Sequence, residues 1–472
     1  MKKTIILALA AALLGGVAYA NYGTVDTVPA ATLLVPYIVV DANAAGVPDQ
    51  AGYTTLTVVT NVSSAKQIVH VTVYNAWSKG VVDFDEVLSG YDVWSINWRD
   101  LVTGDFENFD TGSSSSGFWT GTTGPVPPPY GPTTNVIGTN FTGTLPGPTD
   151  YDRTITPLTP TSSCGFPWGN LNTYAGIIVS KLQAPLYGWP TQDTDCDPTT
   201  TADQIASPAF LANLTSSPLF FYATIDAVSS CNGYFPDQDH QYWDDNAGAG
   251  YNTTNNVLTG NDFYLNFSQN YSESLPTVNL EAATTSTAYG FYHYKRVAAG
   301  AANVNDNREP LPTAWAFNYF NGGGVTTNVA VFKTYHELDA ADGLILACRP
   351  YIYYAWDENE NSKARTVTTC PSGLCFGNPE PNVFPFETQM VPVTSANFSG
   401  LMPGNGWMLL VFDPSIPHFL DADYDNIQTY VFAKYNFGAY STAVQATQMG
   451  NYWYNNLQVL PVLNTNTGVL AQ

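Results

Sequence analysis

Two neighbouring segments of this chain alternate apolar and polar residues at a period of two and are joined by a short turn. They are 54–61 (TTLTVVTN) and 68–75 (IVHVTVYN), and Ser63 and Ser64 lie between them. Alternate residues of a strand point to opposite faces of a sheet, whereas an amphipathic helix repeats every 3.6 residues. The pattern therefore predicts two strands, as expected of half-buried sheet segments.

Similar segments recur along the chain, separated by turn residues. Further strands are predicted at 32–41, 81–88, 93–98, 220–228, 263–267, 325–334, 344–348, 351–356, 406–412, 428–437 and 457–462. Pro36 indicates a sheet edge or a bend in the first of them, and only 202–214 has modest helical periodicity. The fold class predicted is all-β, with antiparallel Ig-like or jelly-roll-type β-sandwich units and long loop insertions.

The N-terminus has the features of a secretory signal peptide. Lys2 and Lys3 precede an apolar run at 5–14, and Ala18-Tyr19-Ala20 supplies small residues at the two positions that a signal peptidase reads. The apolar run is too short to span a membrane. We therefore expect an exported bacterial protein, located in the periplasm, at the cell surface or outside the cell.

Changes in composition divide the chain into five regions. A signal peptide at 1–20 precedes an N-terminal β-sandwich region at 21–110, and 111–150 is a loop or linker rich in Pro, Gly and Ser. An insertion-rich middle β region at 151–300 and a C-terminal β-sandwich region at 301–472 follow.

The charge balance limits the classes of partner. The formal net charge is −24, and charged residues make up only 11% of the chain. An acidic chain repels nucleic acids and anionic membrane surfaces. We therefore expect no nucleic-acid partner and no membrane insertion, and an extracellular protein or a glycan as the partner.

The chain has six cysteines, and an even number in an exported protein predicts disulfide bonds. Cys370 and Cys375 are the easiest local pair, because Pro371 and Gly373 between them favour a turn. The sequence contains neither a second close cysteine pair nor clustered histidines, so it favours this disulfide over a zinc site.

Two acidic loops are candidates for calcium binding, because Ca²⁺ prefers oxygen ligands. One loop has Asp421, Asp423 and Asp425 at alternate positions, and the other has Asp357, Asn359 and Asn361 in the same spacing. Neither has the sixth-position glycine or twelfth-position glutamate of an EF-hand. Calcium is the one cofactor that the sequence suggests, and a solvated acidic turn is the alternative.

Catalytic motifs are weak. Gly-x-Ser-x-Gly is missing, and His336-Glu337 has no second histidine four residues later. Paired carboxylates could hydrolyse glycosides, and the candidates are Asp306, Glu309 and Glu387. An ion pair of Arg308 with Asp306 or Glu309, pinning a loop, is the structural alternative.

Other residues have both a functional and a structural interpretation. His70 lies in a predicted strand, where a hydrogen-bonded sheet histidine is expected. Exposed aromatic residues could stack on sugars, and core packing is the alternative. The aromatic candidates are Trp94, Trp98, Trp243 and Trp453.

Several phrases resemble a family of uncharacterised secreted bacterial β-rich proteins with no established activity. They are VPAATLLVPYIVVD at 28–41, GYDVWSINWRDL at 90–101, DNREPLPTAWAFNYFNGGG at 306–324 and YYAWDENEN at 353–361. The resemblance implies export and a β-rich fold, and it transfers no catalytic residue. We therefore expect a secreted or cell-surface β-sandwich protein with a structural or binding role, for which calcium is the one candidate stabilising ion. The alternative is a carbohydrate-active hydrolase that uses paired carboxylates.

Overall fold

The protein is described from a computed structural model. The residues described are 25, 27–41, 49, 51–76, 80–103, 179, 182, 218–230, 236, 242–243, 251–282, 291–292, 307–334, 351–359, 361–367, 384, 386–398, 401, 404–412, 428–438, 440–450, 463–464 and 469–470.

A first unit contains nine strands. They are β1 (Thr32–Val40), β2 (Tyr53–Asn61), β3 (Gln67–Asn75), β4 (Gly80–Leu88), β5 (Val93–Asn97), β6 (Leu219–Val228), β7 (Leu258–Asn266), β8 (Tyr271–Pro276) and β9 (Val278–Leu280). The helix α1 (Trp98–Thr103) follows β5, and a 3₁₀ turn (Phe267–Gln269) follows β7.

A second unit also contains nine strands. They are β10 (Ala314–Asn321), β11 (Val325–Lys333), β12 (Tyr351–Asp357), β13 (Ser362–Val367), β14 (Thr388–Pro392), β15 (Gly404–Val411), β16 (Thr429–Phe437), β17 (Tyr440–Gln445) and β18 (Thr447–Gly450). Two short strands, β19 (Leu463–Asn464) and β20 (Val469–Leu470), pair with each other.

The two units have the same connectivity. Sheet A has the order β4-β3-β6-β1-β9 and sheet B the order β5-β2-β7-β8, while in the second unit sheet C has the order β14-β11-β16-β17 and sheet D the order β13-β12-β15-β10-β18. Adding nine to each strand number of sheets A and B gives sheets D and C. The second unit therefore repeats the strand order of the first.

The repeat extends to the residue register. Tyr53–Asn61 of β2 pairs with Asn266–Leu258 of β7, and Val325–Lys333 of β11 pairs with Phe437–Thr429 of β16 over the same number of residues. Residues of the two units can therefore be matched one to one wherever these ladders run.

Burial of apolar residues explains how the sheets pack. Leu33, Val71 and Ile225 on sheet A share one core with Val59 and Ile96 on sheet B. The opposite face of sheet A contributes to a second core, which includes residues of sheets C and D.

Aromatic contacts join the units. Tyr222 of sheet A meets Phe332 of sheet C at 5.1 Å between ring centroids, and Tyr37 meets Phe432 at 6.1 Å. Such aromatic pairs stabilise a contact beyond the area they bury. Sheet C therefore packs on the first unit.

The predicted all-β class is confirmed, since four antiparallel sheets of four or five strands contain nearly all the described elements. Pro36 lies between Val35 and Ile38, where the β1–β6 register shifts. The strand predicted at 93–98 ends one residue early. The Asn97 side chain bonds to the Arg99 amide and to Asp100, and it starts α1 instead.

Other predictions concern parts of the chain outside the described residues. These are the signal peptide at 1–20, the linker at 111–150, the helix at 202–214 and the strands at 344–348 and 457–462. The Ig-like or jelly-roll assignment and the region boundaries stay predictions, although β6–β9 share sheets A and B with β1–β5. In the described part of the chain, no helix has the length and apolarity needed to cross a membrane.

Candidate functional site

A row of four polar residues crosses sheet A from β4 to β1. Asp85, His70, Asp226 and Thr32 are consecutive cross-strand partners. Directly opposed residues in antiparallel strands share one face of the sheet, and all four are buried. We call these four residues the polar row.

Asp226 is the centre of the hydrogen-bond network around the row. Its Oδ1 accepts from the Thr32 hydroxyl, and its Oδ2 accepts from Tyr242 and Tyr292, each at 2.8 Å. Burial, and then the charge of Asp226, raise the pKa of both tyrosines well above the usual value. The tyrosines therefore remain donors, and three donors satisfy the buried carboxylate as a buried charge requires.

Arg308 completes the network. It lies in the segment that joins β9 to β10, which we call the linker between the units. Its Nε donates to Thr32 Oγ1 at 2.7 Å, and its Nη1 donates to Thr253 O at 2.8 Å and to Asn307 Oδ1 at 3.0 Å. The Arg308 side chain is fully buried. Thr32 thus relays a hydrogen bond from the guanidinium to Asp226 and ties the linker to sheet A.

His70 lies between carboxylates. Its Nδ1 is 2.9 Å from Asp85 Oδ1, its Nε2 is 3.9 Å from Asp83 Oδ2, and its ring lies 5.5 Å from that of Tyr242. Burial alone would lower the pKa of His70, but Asp85, Asp83 and Asp226 outweigh it and raise the pKa. The surroundings therefore favour the protonated imidazolium.

The second unit lacks this row at the equivalent positions. There the cross-strand partners are Thr366, Ile352, Val411 and Ala314. Burying charges costs free energy even when they are paired, and apolar replacements are often as stable. Because the same connectivity forms without charges, the polar row is not a requirement of the fold, and it is the strongest candidate for a specialised site.

The predicted calcium loop at Asp357 is the turn between β12 and β13. Asp357 Oδ1 accepts from the Asn359 and Asn361 amides, and its Oδ2 accepts from Asn361 Nδ2, each at 2.9 Å. The Asn361 side-chain bond is the main cause of a lowered pKa of Asp357. Among the described residues, no group of three or more His, Cys, Asp or Glu side chains is placed to hold a metal ion. Asp357 and the two asparagines therefore form a hydrogen-bonded turn, and calcium binding there stays a prediction.

The other predicted metal and disulfide residues lie outside the described residues. They are Asp421, Asp423, Asp425, Cys370 and Cys375. Their roles stay predictions.

Two of the proposed hydrolytic carboxylates, Glu387 and Glu309, lie in the part of the chain that the structure describes. Glu387 is fully buried between the units, where its Oε2 accepts from the Tyr222 hydroxyl at 2.7 Å. Glu309 is half-buried within the linker between the units, and its amide donates to Glu281 O at 2.9 Å. Asp306 is outside the described residues. Glu387 is therefore part of the contact between the units.

The aromatic candidates that the structure describes are packed within the first unit. Trp98 is fully buried and donates to Thr57 Oγ1 at 2.8 Å, and the buried Trp243 donates to Pro236 O at 2.7 Å. Trp94 is half-buried against the edge of Phe84. Trp453 is outside the described residues.

Sequence reasoning singled out His70 as a sheet histidine and Arg308 as a loop ion-pair candidate, but it did not place either in a functional site and it missed Asp226, Tyr242 and Tyr292. The signal for Asp226 was present, because it is the one charged residue in the mostly apolar β6. A buried strand carries such a residue when a partner faces it. The two tyrosines lie outside strands and had no comparable signal.

Comparisons with protein-family models, with curated protein sequences and with solved structures found no match.

Proposed function

We propose that this chain is an exported bacterial protein with a structural or binding role in the periplasm, at the cell surface or outside the cell. The two tandem units form its body, and an extracellular protein or a glycan is its partner. The N-terminal signal sequence and the low content of charged residues support export.

The burial of Glu387 is the observation that carries a non-catalytic role. A glycosidase needs two carboxylates that flank a bound sugar and admit water. Glu387 is fully buried, and Tyr222 already occupies its Oε2. The next residue also contributes to the contact between the units, since Thr388 Oγ1 donates to Pro36 O at 2.5 Å.

The nested strand pairing supports the finer proposal that each unit is a jelly-roll-type sandwich. In the first unit β1 pairs with β9, β2 with β7 and β3 with β6, and the second unit repeats these pairs. Pairing of early strands with late strands in two facing sheets is typical of jelly rolls.

A glycan panel tests the role. Purified protein is assayed for both binding and release of reducing ends, beside Glu387→Gln and the control Glu358→Gln, which changes an exposed glutamate in the β12–β13 turn. We expect no turnover from any of the three proteins. Turnover that Glu387→Gln abolishes, with its melting temperature unchanged, would establish the hydrolase instead.

A further inference from the structure

Titratable or charged groups among the described residues surround His70 and its cross-strand partner Asp226. Asp83 and Asp85 on β4 and the ring of Tyr242 lie near His70, while Tyr292 bonds to Asp226 and Arg308 reaches Asp226 through Thr32. Three of these groups are carboxylates and one is a guanidinium. A protonated His70 adds a second positive charge, so the numbers of negative and positive charges become more nearly equal.

Charge alternates in sign along the row when His70 carries a proton. Asp85 is negative, His70 positive, Asp226 negative, and Arg308 follows through Thr32. Without that proton, Asp226 and Asp85 are separated by a neutral ring. Charges are weakly screened in a buried site. Loss of the attraction between the imidazolium and these carboxylates therefore changes the free energy more here than it would at a surface.

Asp226 also anchors three parts of the chain to sheet A. Tyr242 and Tyr292 bond to it directly, and Arg308 bonds to it through Thr32. Any change that disturbs the Asp226 carboxylate therefore weakens the attachment of all three parts of the chain.

We propose that the polar row is a proton-dependent latch, in which a protonated His70 holds Asp226 as the anchor for Tyr242, Tyr292 and Arg308. Loss of the proton weakens the hydrogen-bonded attachment of Tyr242, Tyr292 and Arg308 to sheet A. The proposal goes beyond the structural or binding role, because it needs no partner.

The direction of the pH dependence follows from the site. The surrounding carboxylates outweigh burial and raise the pKa of His70 above its value in the unfolded chain. The stabilisation is therefore fully present below the unfolded pKa and is lost as the pH rises through the folded pKa. The latch is therefore closed below the ordinary histidine pKa and opens as the pH rises through the higher pKa of the folded state.

Hydrogen-exchange mass spectrometry on the full chain tests the latch. Protection factors, corrected for intrinsic exchange, are followed between about pH 6 and 9 in peptides containing 251–253, where the Tyr251 amide donates to Tyr242 O, and 307–313. We expect protection of these peptides to be lost as the pH rises, while β16 peptides of the second unit stay protected. Unchanged protection of the latch peptides over this range would overturn the proposal.

Two variants and one spectroscopic measurement complete the test. His70→Gln should leave the latch peptides weakly protected at every pH. Asp262→Asn should keep the loss of latch-peptide protection that the wild type shows as the pH rises. If His70→Gln fails to fold, an NMR titration of the wild-type imidazoles decides the question. His70 titrating above its usual value supports the latch, and His70 titrating at or below that value refutes it.

Discussion

Thr55 and Tyr264 lie directly opposite each other on β2 and β7, and both side chains bond to the backbone of β1. The Thr55 hydroxyl accepts from the Val39 amide at 3.0 Å and donates to the Val39 carbonyl at 3.2 Å. The Tyr264 hydroxyl donates to Tyr37 O at 2.9 Å. We call this arrangement the Thr–Tyr clasp.

The second unit has the same clasp. Thr327 and Tyr435 are cross-strand partners, and Thr327 Oγ1 bonds to the Phe320 amide at 2.8 Å and to its carbonyl at 3.0 Å. Tyr435 donates to Asn318 O at 3.0 Å. Each clasp satisfies backbone groups of β1 or β10 beyond the stretch that pairs with β9 or β18, as buried polar groups require. The repeat is therefore present in side-chain chemistry as well as in strand order.

Thr55→Val and Thr327→Val should destabilise the protein by similar amounts. Valine keeps the shape of threonine but leaves the amide and carbonyl of the preceding strand without this partner, which costs about 1–3 kcal/mol. Urea unfolding measures the change. Thr326→Val, at an exposed neighbouring position, should stay within about 0.5 kcal/mol of the wild type. A loss in only one unit would show that the clasps are not equivalent.

Asp262 should make stability fall between acidic and mildly alkaline pH. Burial raises its pKa to about 8, and the Thr57 hydrogen bond at 2.6 Å only partly offsets this. The folded pKa exceeds the unfolded value, so the stabilisation is complete below about 4 and is lost as the pH rises towards 8. Asp262→Asn should remove a slope of about 1.4 kcal/mol per pH unit from the unfolding free energy. Parallel wild-type and variant curves would contradict this assignment.

Lys434 and Glu273 should couple the two units. Their side chains are 2.9 Å apart and mostly buried, and the Lys434 ammonium lies 5.1 Å from the Tyr53 ring and 5.0 Å from the Tyr271 ring. Lys434→Met leaves a buried carboxylate unpaired and should cost about 3 kcal/mol. Adding Glu273→Gln should recover part of the loss in a double-mutant cycle.

Lys66→Met is the matched control for that cycle, because Lys66 is exposed. It should change the unfolding free energy by less than about 0.5 kcal/mol. Strictly additive effects of the Lys434 and Glu273 changes would show that the pair does not interact.

Gly406→Ala should disrupt the second unit. A Cβ at this position would lie 1.8 Å from the backbone oxygen of Trp356 and 2.6 Å from the Tyr319 hydroxyl. The backbone cannot yield cheaply, so we expect at least about 2 kcal/mol of destabilisation. Gly322→Ala meets nothing within 4 Å and serves as the control in thermal melts. Equal melting temperatures for the two variants would argue against this close approach.

Calcium should raise the melting temperature if the predicted loops bind it. Extracellular modules bind calcium at about 10⁻⁴–10⁻³ M, so about 1 mM ion gives roughly 1 kcal/mol. Asp423→Ala should remove most of the shift if the loop at Asp421, Asp423 and Asp425 is the site, and Asp357→Ala should remove it if the β12–β13 turn is. Identical melting in calcium and in chelator would leave both as acidic turns.

The strands were predictable because alternation and β-branched residues are local signals. Predicted and observed bounds of β2, β3 and β11 differ by at most one residue. Pairing was not predictable. β6 joins β1 and β3 although a long stretch of chain separates it from them, and a strand sequence alone does not identify its partner.

The repeat was hidden from the sequence for the same physical reason. The clasp keeps its threonine and tyrosine in both units, whereas the polar row is replaced by mostly apolar residues. Register and burial are shared and residue identity is not, so no fixed period is visible. The candidate site was predictable only in part, because His70 has a strand signature and the tyrosines that cover Asp226 do not.

Cross-strand nuclear Overhauser effects in protein labelled selectively at threonine and tyrosine test the two-unit repeat most directly. The shared register predicts contacts between Thr55 and Tyr264 and between Thr327 and Tyr435 in one sample. The variants Tyr264→Phe and Tyr435→Phe assign each signal. Both contacts together would establish the repeat in solution. A contact shifted by one residue in either unit would place these side chains on opposite faces and contradict it.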